Sequence, residues 1–208
     1  MNIFPNLKTG KWKKINLTEE SKKTDLDLSN PDVCTDFITN LHKKLKIDYD
    51  YGGFLENRTY LWRNSKSEKG KSLIHLGVDY SIPAGTEIAL PVNATVFHLM
   101  KDPKNNIGWG GRIIFKMEDG NYLLYGHLKQ NISLEIGQKC KKGQIVAILG
   151  DKNENGNWWP HLHVQIMNQF FIDRYKSDLN KIDGYLPATD SNLKNLINPE
   201  TTILINSN

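Results

Sequence analysis

The chain has 208 residues, 38% of them hydrophobic, which is enough apolar material for one domain with extensions rather than two full domains. Its 27 basic and 23 acidic residues leave a formal charge of +4, and the basic ones are scattered rather than striped with aromatics, so no nucleic-acid surface is expected. No apolar run approaches the roughly 18 residues of a membrane span, and the opening stretch lacks the apolar centre of a secretory signal, so no membrane partner is expected and the expected setting is cytoplasmic, unless export follows an unrecognised route.

Residues 1–50 are polar and contain one clear helix signal. Asn30 suits the N-cap and Pro31 the first helical position. Val33, Phe37, Leu41 and Leu45 then recur at helical spacing, giving an apolar stripe. Such an N-terminal helical extension either packs on the main domain or covers a site as a pro-segment.

Residues 51–167 read as mainly β. Short runs rich in β-branched and aromatic residues cover 86–90, 95–100, 112–117, 122–125, 144–149 and 161–167, with turn signals between them. Ile82-Pro83-Ala84-Gly85 suits a type I turn with Pro second and Gly fourth. Glu118-Asp119-Gly120-Asn121 suits a hairpin turn, because Asp-Gly accepts positive φ. No long helical pattern separates the strands, so an antiparallel fold is expected rather than a βαβ one. PAGTEIALPVNATV and IGQKCKKGQIVAILG share the same order of turn, strand, break and strand. Residues 168–208 lose the β rhythm, with a short helix expected over 191–197, stopping near Pro199. Cys34 and Cys140 form no CxxC pair, so they offer no thiolate metal site, and reduced thiols are expected.

Four of the six histidines fall in three short segments: His75-Leu-Gly-Val-Asp79, Tyr125-Gly-His127-Leu and Pro160-His161-Leu-His163. Strand side chains alternate faces, so His161 and His163 project together, as do His75 and Asp79 if their stretch is extended. Leu162 and Val164 then point into a core. Imidazole and carboxylate bind zinc at about 2.0–2.2 Å, and a catalytic zinc takes three protein ligands with one position left open. Each segment alone is weak; their joint occurrence points to a metal site. His42 beside Lys43 and Lys44 reads as a solvated surface residue, and His98 as a packed or edge histidine.

IHLGVDYSIPAGTEIALPVNATV, YLLYGHL and PHLHVQI, in this order, resemble the signature blocks of the lysostaphin and LytM type of zinc metallopeptidase. GQKCKKGQIVAILGD resembles the segment that this family places before its His-x-His. The resemblance runs from about Leu73 to Met167. It implies a small antiparallel β structure of the barrel-sandwich, duplicated-hybrid kind, with a groove above the metal. It also implies Zn2+ held by His75, Asp79 and His163, with His127 and His161 near the metal as catalytic groups. The expected activity is hydrolysis of a peptide bond by activated water, with peptides or muropeptides as substrates. No His-Glu-x-x-His motif supplies a glutamate base, so the two histidines share the proton-transfer roles in an order that spacing leaves open. Trp109, in a Gly-rich loop, and Trp158, just before Pro160, are the candidate walls of a peptide groove. NGNWWPHLHVQI departs from the commoner Gly-His-Leu-His-Phe-Glu form and is closer to a branch fused to aminotransferase-like or kinase-like domains. A non-catalytic zinc-containing scaffold and a histidine phosphocarrier are the rival readings. The oligomeric state is not legible.

Overall fold

A computed structural model describes residues 3–65, 72–101 and 108–202. In chain order they form β1 (Trp12–Lys14), α1 (Leu17–Ser21), α2 (Pro31–Leu45), β2 (Tyr49–Gly52), β3 (Ile74–His75), β4 (Val78–Ser81), β5 (Glu87–Ala89) and β6 (Ala94–Lys101). Then follow β7 (Gly111–Met117), β8 (Tyr122–Leu128), β9 (Lys139–Cys140), β10 (Ile145–Ile148), β11 (His161–Met167), α3 (Gln169–Arg174), β12 (Tyr185–Leu186), β13 (Leu196–Ile197) and α4 (Pro199–Thr202). The fold is mainly β, as the residue patterns predict. Nine strands make one sheet, ordered β1-β2-β4-β11-β8-β7-β6-β9 with β13 also on β11. The ladders β10–β5 and β12–β3 stand apart from it. The main sheet stays open among the described residues, so the barrel element of the expected hybrid is not closed.

The antiparallel expectation fails at one edge. β1 pairs with β2 in parallel, Trp12 opposite Tyr49 and Lys14 opposite Tyr51. A parallel pair needs a crossover, and α1 and α2 supply it. The N-terminal stretch therefore adds a strand and two helices to the sheet rather than one appended helix.

α2 starts as its sequence demands. The Asn30 side chain accepts from the Asp32 and Val33 N–H groups, with Pro31 at the first turn. It ends at Lys46 in the left-handed region, φ 55°. Its buried residues are Cys34, Ile38 and Leu41, with Val33 and Phe37 only half-buried, so the buried face lies one residue round from the predicted stripe. That face packs with Leu17, Leu28, Leu61, Trp62, Leu73 and Trp159.

Two turns carry the local geometry. The Thr86 N–H donates to the Pro83 carbonyl, which makes Gly85, φ +82°, the third residue of the turn. This is type II geometry, one residue on from the expected type I turn. Gly120, φ +87°, closes the β7–β8 hairpin by donating to the Met117 carbonyl, while Asp119 takes no positive φ. Residues 191–195 form a 3-10 turn rather than an α-helix, Leu196–Ile197 pairs with β11, and Pro199 begins α4 instead of stopping a helix.

The core lies on both faces of the central strands. Tyr80, Phe115, Tyr125, Leu162 and Val164 fill one face, so Leu162 and Val164 point inward as predicted. Tyr122, Leu124 and Met167 fill the other, under Phe171, Ile172 and Ile182. β8 and β11 are buried along their whole length, the site histidines included. β5 and β10, one from each of the two similar segments, pair antiparallel with each other. No helix among the described residues is long and apolar enough to cross a membrane.

Candidate metal centre

The strand order β4-β11-β8 brings the histidine segments side by side. His163 stands opposite Asp79 on β4 and opposite Gly126 on β8. His75 lies in a different ladder, opposite Tyr185 on β12. His75 and Asp79 are therefore not two residues of one extended strand; the chain bends at Leu76-Gly77 and the two side chains converge through the bend. Gly77 makes this possible. A Cβ there would stand 2.4 Å from the Val164 carbonyl oxygen and 2.6 Å from His163 Nε2.

The outward nitrogens of both prospective ligands are committed. His75 Nδ1–H donates to the Gly53 carbonyl at 3.0 Å, and Gln165 Oε1, 3.3 Å from His163 Nε2, accepts its N–H in the tautomer that frees Nδ1 for a cation. The inward nitrogens are then both acceptors, yet His75 Nε2 lies 3.1 Å from His163 Nδ1. Asp79 adds Oδ1 at 3.0 Å from His163 Nδ1 and Oδ2 at 3.3 Å from His75 Nε2. Donor atoms of the three residues lie within 4.8 Å of one another. With both N–H bonds turned outward, no proton lies between these electron pairs. A cation suits this arrangement, and the donor chemistry fits zinc.

His127 and His161 flank the cluster with their rings 4.2 Å apart. Each donates Nδ1–H to a backbone carbonyl at 2.8 Å, that of Asn155 for His127 and that of Trp159 for His161. Both Nε2 atoms are left to accept, and His161 Nε2 lies 3.8 Å from Asp79 Oδ1. His127 has φ +62°, a strained conformation for a non-glycine residue. Its backbone is pinned there by its N–H to the Trp109 carbonyl and by the Gly150 N–H to its own carbonyl, each at 3.0 Å.

Burial decides the protonation states. It pulls His75 down to about 4, with the Arg58 charge adding to the effect. It also lowers His161, against the opposing pull of Asp79, and together with His161 holds His127 well below its usual range. Burial alone would raise Asp79, but His75, Arg58 and His161 keep its carboxyl well below the ordinary carboxylate range. The ionised Asp79 carboxylate thus faces the neutral imidazole of His75, with neutral His127 and His161 beside it, the state in which carboxylate and imidazole ligate metals.

Arg58 is the residue that the sequence did not disclose. Its Nη1–H donates to Asp79 Oδ2 at 2.7 Å, with Glu56 and Tyr185 as its other partners. It lies in no periodic segment, and the contact spans 21 residues, so no local signal marked it.

A cleft of about 260 Å³ opens over the cluster. Trp109 and Trp158 line it, with Trp62, Trp159, Tyr185 and Asp183. Trp109 stacks on His127 at 5.2 Å and meets His163 edge-on at 4.9 Å, while its Nε1–H donates to Asp183. Trp158 donates Nε1–H to the Gly108 carbonyl and meets Trp62 edge-on at 5.0 Å. Trp159 stacks on His161 at 4.5 Å. Of residues 3–50, only Ser29 reaches the lining, and α2 packs behind Trp62 and Trp159 rather than across the opening. His42 is not a solvated surface residue; its ring pairs with Asp50, which also accepts from Ser81 Oγ. His98 sits at an edge, 3.4 Å from Asn180 Oδ1. Cys34 and Cys140 are buried and unpaired.

An uncharacterized metalloprotease of Haemophilus influenzae is 30% identical over 125 residues, which cover 60% of this chain and 24% of that protein. The chain thus spans about a quarter of the curated relative it matches. Among solved structures, it is similar to the catalytic domain of EnpA, a prophage-encoded M23 protein from Enterococcus faecalis (30% identity, 46% of this chain and 69% of that one, TM-score 0.40). It is also similar to the catalytic domain of the antimicrobial peptidase lysostaphin from Staphylococcus simulans (23% identity, 62% and 77%, TM-score 0.41). Residues 73–176, half of the chain, match peptidase family M23, and the chain belongs to that family.

Proposed function

We propose that this member of the M23 metallopeptidases is a zinc-dependent endopeptidase, with His75, Asp79 and His163 holding the metal. The observation that carries the reading is the convergence of His75 Nε2, His163 Nδ1 and the Asp79 carboxylate, with an acceptor beside the outward nitrogen of each ring. Zinc bound there supplies Lewis acidity, which polarises a carbonyl and makes water a stronger acid near neutral pH.

The chain's own groups do the rest. His127 and His161 are neutral and hold Nε2 as an acceptor, so either can take a proton from an attacking water. The one that has taken it, now carrying Nε2–H, can hydrogen-bond the developing oxyanion or return the proton to the leaving nitrogen. Trp109 and Trp158 form walls against which an extended peptide lies, and Trp109 also braces His127 by stacking. The family resemblance makes cell-wall muropeptides and glycyl peptides the first substrates to try. His75 is only 2% exposed, which gives the phosphocarrier alternative little support.

The test is to purify the protein, quantify zinc by elemental analysis, and incubate it with a muropeptide and glycyl-peptide panel, with chelator as control. His75→Ala, Asp79→Ala and His163→Ala should lose zinc. Stoichiometric zinc in all three folded variants would refute the ligand set. His127→Ala and His161→Ala should keep zinc and lose turnover by about 100-fold or more. Unchanged turnover in both removes their catalytic role, and zinc without hydrolysis across the panel favours the scaffold alternative.

A further inference from the structure

We propose that Arg58 is a positioning residue for the metal centre: it grips Oδ2 of Asp79, so that Asp79 meets a cation through Oδ1 alone. This rests on the metal reading above and extends it to a residue that precedes the family-matched stretch. The Arg58–Asp79 contact, at 2.7 Å, has the length of a charge-assisted hydrogen bond. Oδ1 is the oxygen nearer His163 and His161, at 3.0 and 3.8 Å, while Oδ2, 3.3 Å from His75 Nε2, is the one that Arg58 takes. A carboxylate without such a tie rotates about its Cβ–Cγ bond and offers one or both oxygens. Tying one oxygen removes that freedom, as partners of metal ligands commonly do.

The guanidinium is itself held from several sides. It is 3% exposed, and its Nε lies 3.4 Å from Glu56 Oε2. Glu56 accepts from the Thr18 N–H at the start of α1. Nη1 also lies 3.3 Å from the Tyr185 hydroxyl, and the Arg58 backbone N–H donates to the Leu73 carbonyl at 2.8 Å. Gly53 leaves the room, because a Cβ there would stand 2.4 Å from Arg58 Nη2 and 2.8 Å from His75 Nδ1. Glu56 answers an electrostatic objection. A bare arginine beside a metal would repel it, but here a second buried carboxylate offsets the guanidinium charge. Lysine would keep the charge and lose the fork that reaches Glu56, Tyr185 and Asp79 together.

The experiment measures zinc affinity by competition with a chromogenic chelator in the full-length protein, for wild type, Arg58→Lys and Arg58→Met. Circular dichroism and the thermal midpoint are recorded beside it. The expected result is folded variants that bind zinc about 10- to 100-fold more weakly. A purely structural arginine would lower the midpoint and leave the affinity of the folded protein unchanged; that result overturns the proposal. If neither variant folds, a crystal structure of the zinc-loaded wild type decides. Coordination by one Asp79 oxygen, with Arg58 on the other, supports the proposal. A two-oxygen Asp79 or a displaced Arg58 overturns it. Wild-type protein that binds no zinc overturns the metal reading as well, which separates the two failures.

Discussion

Gly77→Ala should damage the site through one methyl group. The residue sits between His75 and Asp79, and a Cβ there would meet the Val164 carbonyl oxygen at 2.4 Å and His163 Nε2 at 2.6 Å. Ordinary contact begins at 3.4 Å, so one of these groups must retreat by about 1 Å. Val164 is fully buried on β11, which also carries the His163 donor, so relief must move a strand rather than swing a flexible side chain. Overpacking of this kind costs about 1–3 kcal/mol. For a domain of this size, that lowers the melting temperature by about 2–12 °C. A displacement of about 1 Å at His163 should also lower turnover by about 100-fold. The control is Gly120→Ala, where no atom lies within 4 Å but φ is +87°. It should cost about 1–2 kcal/mol of backbone strain and leave zinc untouched. Thermal unfolding with and without zinc, elemental analysis and turnover are the assays. A Gly77→Ala protein with wild-type melting and full zinc would refute the close-approach reasoning.

The metal-free protein should lose stability as pH falls. The folded-state pKa of His75 is depressed from 6.5 to about 4, so its contribution is present above 6.5 and lost on the way down to 4. At pH 5, still above the folded value, about 2 kcal/mol of it is lost, and His127 and His161 shift in the same direction; urea unfolding with chelator at pH 7.5 and pH 5 measures their combined loss over that range, and equal midpoints contradict the burial argument. Cys34 should resist thiol reagents in the native protein at pH 8 and react on unfolding, because burial pushes its thiol up to about 12; rapid native labelling of Cys34, located by peptide mapping, is the contrary result. Trp158→Ala should weaken peptide binding by about fivefold or more while zinc content stays constant, as read by calorimetry with a non-hydrolysed peptide; unchanged affinity makes Trp158 a packing residue only.

What the sequence made legible is what local physics controls. Asn30 and Pro31 marked the start of α2, because capping is decided within three residues. The alternation of His161, Leu162, His163 and Val164 marked a strand with a polar and an apolar face, and β11 has both. What stayed hidden depends on distant partners. β1 is three residues long and two of them are lysines, so no period shows; it is a strand because β2 lies beside it. Arg58 looks like any loop arginine until Glu56, Asp79 and Tyr185 surround it. His42 borders two lysines and still finds Asp50, because the turn after α2 brings β2 back along the helix. Gly77 did carry a usable sign. A glycine between two prospective ligands, flanked by apolar residues, marks close approach of another chain segment.

The origins of the site residues divide its work. The three prospective ligands and the two flanking histidines come from the family-matched stretch, and all but His75 sit on the adjacent strands β4, β11 and β8, whose register is fixed by a buried core. Trp109 and Trp158, the walls of the cleft, lie within that stretch too, but other groups that hold and line the site come from outside it. Glu56, Arg58 and Trp62 precede it, and Asp183 and Tyr185 follow it. Even His75 depends on both sides. Its ring is held by the Gly53 carbonyl, and its strand by β12, with the Leu76 N–H donating to the Gly184 carbonyl at 2.9 Å. Changes at the ligand and histidine positions should therefore act first on metal retention and turnover, while changes at cleft positions such as Trp158 within the stretch, or Trp62 and Asp183 in the flanks, should act on which peptide is accepted. Arg58 belongs to a flank and touches a ligand, so it is the position where these two kinds of effect meet.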